Sequence, residues 1–108
     1  MNSKLEFKNS PQEVTIREKL DYSFDLTNWL AVGESVSNPT AKLIDEASGS
    51  EIANAISNIS VSGGNTVHLT VDWSTTRINK NGIYLILIRV AIGTQFKEGF
   101  ARLTTFFL

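Results

Sequence analysis

The clearest pattern along the chain is a strict alternation from Thr66 to Trp73, where Val67, Leu69, Val71 and Trp73 interleave with Thr66, His68, Thr70 and Asp72. Such a period of two marks a half-buried strand with one apolar and one polar face. The preceding Ser62-Gly63-Gly64-Asn65 is turn chemistry that joins this strand to Asn58-Ile59-Ser60-Val61 as a hairpin. A second alternation runs through Tyr22, Phe24 and Leu26, with Asp21, Ser23 and Asp25 between them, and leads on into Thr27-Asn28-Trp29-Leu30. Turn residues from Gly33 to Pro39, a short strand from Thr40 to Ile44 and a turn at Ala47-Ser48-Gly49-Ser50 follow. The segment EIANAI, Glu51 to Ile56, fits a helical turn through Ile52 and Ile56 at i, i+4, or a strand. Strands recurring at this spacing predict an all-β sandwich or barrel.

The last third is the most strand-like. NKNGIYLILIRVAIG, Asn79 to Gly93, is almost unbroken apolar chain after a turn; Gly93-Thr94-Gln95 then turns it into a final strand from Glu98 to Leu108. The two form a terminal hairpin. No repeat or linker divides the chain, so one domain over 11–108 is expected, preceded by an N-terminal arm at 1–10. A run greasy on both faces then poses a packing problem, because a domain of 108 residues has one core to fill.

Composition narrows the functional classes. Hydrophobic residues make up 42% of the chain and charged residues 19%, a globular balance that leans apolar. With 10 Lys+Arg against 11 Asp+Glu the net charge is −1, which provides no basic field for a phosphate backbone, so nucleic acid is not an expected partner. The absence of cysteine removes disulfides and thiolate chemistry. The longest apolar run, Ile83 to Ile88, is far shorter than the ~20 residues of a membrane-spanning helix, and MNSKLEFKNS has no apolar h-region, so neither a membrane nor a readable secretory signal is expected.

Candidate chemistry is sparse. His68, the only histidine, stands on the polar face of its strand, with no second histidine, cysteine, G-x-S-x-G or H-E-x-x-H to make a triad or a zinc site. Asp21 and Asp25 share one strand face without the shaped loop of ~6 to 8 oxygens that calcium requires. Ser62-Gly63-Gly64 lacks the Lys-Ser/Thr of a phosphate loop, and the sequon Asn58-Ile59-Ser60 is read as chance. Trp73 shares parity with the apolar face of its strand and belongs to the core; Trp29, at a strand end, is open to packing or to stacking on a sugar ring. No catalytic residue, metal ligand or cofactor is expected, and no enzyme.

Two resemblances sharpen the fold and the function. Asn81-Gly82-Ile83-Tyr84 resembles the G-x-Y element that opens strand F of immunoglobulin-like sandwiches, with Ile86 where antibody domains place a cysteine. It implies a single immunoglobulin-like β-sandwich of about seven to eight strands with Tyr84 as the corner tyrosine. Tyr84, Ile86, Ile88, Val90 and Ile92 then point inward, and Ile83, Leu85, Leu87 and Arg89 outward. The order of DYSFDLTNWL at Asp21–Leu30, a serine-rich turn, ISVSGG at Ile59–Gly64 leading into a V-x-L-x-V strand, then G-x-Y and a final strand, resembles the small immunoglobulin-like proteins of tailed bacteriophages, among them the fiber-tail adaptors. Leu26 stands where those adaptors tend to carry tryptophan.

That resemblance implies a non-enzymatic virion component that assembles with itself and docks other virion proteins, either tail and fiber components or, as a decoration protein, the major capsid protein. The residues expected at its interface are Ile83, Leu85 and Leu87 with Phe106 and Phe107, since adjacent positions on a strand cannot enter one core. Two other readings stay open. The outward face is covered by the chain's own segment Leu5 to Ile16 or by EIANAI, or the domain is a carbohydrate-binding module that uses Trp29.

Overall fold

The computed structural model describes residues 2–4, 13–15, 17–75, 78 and 81–107. Strands β1 (Asn2–Lys4), β2 (Glu13–Val14), β3 (Lys19–Asp25), β4 (Ser37–Asp45), β5 (Ile56–Ser62), β6 (Thr66–Asp72), β7 (Asn81–Ile92) and β8 (Gln95–Phe106) make two sheets. The smaller is antiparallel in the order β3-β6-β5; the larger runs β8-β7-β4, with β1 and β2 laid parallel along the outer edge of β8. Beginning at β3, the chain crosses between sheets after β3, β4 and β6 and stays within a sheet at the hairpins β5–β6 and β7–β8. This is the B-E-D and C-F-G arrangement of an immunoglobulin-like sandwich, with the N-terminal strand added beside G. The protein is a single immunoglobulin-like β-sandwich of eight strands among the described residues.

Alternation generates the core. Tyr22 and Phe24 from β3, Leu43 from β4, Val67, Leu69 and Val71 from β6, Tyr84, Ile86, Ile88 and Val90 from β7, and Ala101 and Leu103 from β8 are all buried between the sheets. Trp73, just past β6, is also fully buried; its indole N–H donates to Tyr22 Oη at 3.0 Å, and its ring meets that of Tyr84 edge-on at 5.9 Å and 75°. Burial holds the Tyr22 hydroxyl neutral and pushes its pKa up to about 12 against the opposing effect of the Trp73 hydrogen bond.

Three stretches differ from the expectation by more than the ends of a strand. Thr27–Trp29 is a 3-10 turn and not a strand continuation, because the Asp25 carboxylate accepts the Thr27 N–H at 2.9 Å and bends the chain away from β6. Glu51 to Ala55 of EIANAI form neither helix nor strand, and Ile56 opens β5. Glu51 bridges to Ile44, Ile52 donates its N–H to Leu43 O at 2.8 Å, and Asn54 turns the chain at φ 63, a conformation no helix admits. Ile52 and Ala55 are buried there, so this segment closes the side of the sandwich. At the N-terminus, Asn2–Lys4 of the expected arm pair with Glu98–Phe100 of β8, and the rest of that arm lies outside the described residues.

Candidate functional site

The β7–β8 hairpin builds the longest surface of the molecule. Its two-residue turn needs a positive φ at its first position, which Gly93 supplies at 62°, and it fixes the register over twelve residues of each strand. That register sets the lateral neighbours of the three side chains singled out from sequence. Ile83 pairs with Thr104; Leu85 lies between Ile44 and Arg102; Leu87 lies between Lys42 and Phe100; Arg89 lies between Thr40 and Glu98. Ile83, Leu85 and Leu87 all project from the sandwich, as their parity opposite Tyr84 requires.

Ile44 and Phe100, which strand periodicity alone does not connect to β7, complete an apolar stripe across β4, β7 and β8. Leu85, Leu87, Ile44 and Phe100 are half-buried, while Ile83 is 37% exposed. Beside Ile83 a recess of about 340 Å³ opens between Gly82, Glu46 and Ala47. The stripe continues along β8 at both ends, to Phe106 at 51% exposure and Phe96 at 62%. Charges frame it: Arg102 Nη2 lies 2.8 Å from Glu46 Oε1, Arg89 Nε lies 4.0 Å from Glu98 Oε1, and the Arg89 guanidinium stacks 4.2 Å above the Phe96 ring. EIANAI, packed into the side of the sandwich, does not cover this face; segment 5–12 lies outside the described residues.

Phe107 leaves the expected interface. It is 2% exposed, facing inward with Thr105 because Phe106 takes the outward position, and the Arg17 guanidinium covers its ring at 4.3 Å. Tyr84 is fully buried at the start of β7. Its ring lies over Gly82, where an added Cβ would come within 3.1 Å of Cε2, which accounts for the glycine two positions before the tyrosine.

The remaining candidates gain neighbours but no catalytic geometry. His68 stays on the outer face of the smaller sheet, as its parity demands, held between Ser23 Oγ at 2.7 Å and Ser62 Oγ at 2.6 Å. Both ring nitrogens are occupied by hydroxyls, so no carboxylate orients the ring against either serine. Asp21 accepts a hydrogen bond from Thr70 Oγ1 at 2.6 Å. Trp29 is half-buried against the core and has the Lys97 ammonium 5.9 Å from its ring centroid, above a recess of about 140 Å³ shared with Glu34, Ile92, Gln95 and Phe96.

No family model matches the chain, and no curated protein matches it. Among solved structures it is similar to the titin M3 domain, with 13% identity over 97% of this chain and 99% of that one at a TM-score of 0.47. It is also similar to a family 123 glycoside hydrolase from Clostridium perfringens, with 14% identity over 89% of this chain at a TM-score of 0.51. The match spans 22% of the hydrolase chain, and the likeness is one of fold.

Proposed function

We propose that this chain is a non-enzymatic structural protein of a tailed-phage particle, a β-sandwich of the fiber-tail adaptor kind that assembles with copies of itself and docks tail or fiber components in the virion. The placement in a phage particle rests on the sequence resemblance described above. Assembly rests on the outward face of β4, β7 and β8, where Ile44, Ile83, Leu85, Leu87 and Phe100 form one stripe continued by Phe96 and Phe106.

Magnitudes indicate what kind of association to expect. Full burial of a large aliphatic side chain is worth roughly 1.5–3 kcal/mol, and much of that is already realised here by lateral contact, so each residue of the stripe has about 1 kcal/mol left to contribute. Association costs about 4–15 kcal/mol of lost freedom. The free chain therefore associates weakly, at micromolar concentration or above, and the many copies held in a particle supply the rest through effective concentration.

Leu87→Asp is the matching test. The new carboxylate would stand beside Lys42, its cross-strand neighbour, so the fold tolerates it, while a partner surface would have to desolvate a charge. Sedimentation velocity from about 10 μM to 1 mM should show the parent associating and Leu87→Asp remaining monomeric with an unchanged circular dichroism spectrum. A parent that stays monomeric throughout, or a variant that associates equally well, contradicts the proposal.

A further inference from the structure

On the reading that this face mediates assembly, we infer that its partner is the same face of a second copy, related by a two-fold axis running across the strands along the row Phe100–Leu87–Lys42. In the register of the sheet, Arg102 lies two residues from Phe100 on one side and Glu98 two residues on the other, all three on the outward face of β8. An axis through Phe100 that reverses strand direction carries β8 over β8 of the second copy. Arg102 then faces the second copy's Glu98 and Glu98 faces its Arg102, Leu87 and Phe100 meet their own counterparts, and Leu85 lies against the aliphatic stem of the second copy's Arg89, the isologous pattern of a two-fold dimer.

The dimensions allow it. Sheets that pack face to face are ~10 Å apart and turned by about 30°. At ~7 Å from the axis, two residues along a strand, that turn displaces the facing groups sideways by about 3.5 Å, within the reach of an arginine against a glutamate. A face about 40 Å long and roughly 15 Å wide offers roughly 600 Å² per partner, the lower end of specific interfaces and in keeping with weak association. Lys42, exposed at the outer end of the row, can direct its ammonium past the rim into water.

Charge reversal tests the register without touching the apolar stripe. In a Glu98→Arg homodimer both crossing contacts become Arg against Arg; in an Arg102→Glu homodimer both become Glu against Glu. Each variant alone should associate at least about tenfold more weakly than the parent. Mixed one to one, the two variants form a pair in which every crossing contact joins arginine to glutamate, so the mixture should associate within about threefold of the parent. Within one chain the substitutions can only lose the pairs with Arg89 and Glu46, so recovery on mixing has no intramolecular source. Recovery in the mixture establishes this register. Association of the parent that Leu87→Asp abolishes, with no recovery on mixing, overturns the two-fold register and leaves assembly through this face intact; a parent that never associates overturns both.

Discussion

Tyr84 occupies the space above Gly82, and that pair shows how little room a single position has in this core. Gly82→Ala places a methyl group 3.1 Å from the Tyr84 ring, itself wedged against Trp73. The ring cannot retreat into a filled core, so the substitution should lower stability by about 1–3 kcal/mol, read from the midpoint of urea unfolding. Tyr22 makes a second prediction. Its hydroxyl titrates at about 12 in the folded protein against an ordinary value near 10. Because the folded value is the higher, the unfolded chain releases this proton first as pH rises. The stability linked to Tyr22 is complete below pH 10 and falls between pH 10 and about 12, by on the order of 2–3 kcal/mol. Unfolding free energies of the parent and Tyr22→Phe across this range should converge as the pH climbs, since phenylalanine has no proton to lose; parallel curves would contradict it.

At the scale of elements, the end of β8 separates two neighbouring phenylalanines that the sequence alone treats alike. Phe107→Ala removes a buried ring and the platform beneath Arg17 and should cost about 3–5 kcal/mol. Phe106→Ala, on the surface, should stay within about 0.5 kcal/mol in the same chemical denaturation. The strands easiest to read in the sequence were those with one polar face: β3 and β6 declare their inside by alternation. β7 is apolar on both sides, and its orientation becomes readable only through Tyr84. The segments around Thr27 and Asn54 resist such reading because a side-chain hydrogen bond and a left-handed backbone decide them, and neither leaves a periodic trace. β1 and β2 are too short for any period and owe their pairing to the open edge of β8. For the same reason the sequence yields Ile83, Leu85 and Leu87 but not Ile44 and Phe100. Periodicity tells which side of its own strand a residue occupies, while register tells which residues lie beside it.

On the scale of the whole molecule, the two outer faces of the sandwich are chemically opposite. The smaller sheet presents Asp21, Ser23, Ser60 and His68, a face that water satisfies. The larger presents the stripe from Phe96 to Phe106 framed by two ion pairs, so it is the side on which a partner gains most. Hydroxyl-radical footprinting across a concentration series reads this directly, since it reports the exposure of individual leucine, isoleucine and phenylalanine side chains. As the concentration rises from about 10 μM to 1 mM, oxidation of Ile83, Leu85, Leu87 and Phe100 should fall several-fold while Val32, fully exposed between β3 and β4, keeps its rate. Unchanged reactivity along the stripe at every concentration would contradict the claim that this face is where the protein assembles.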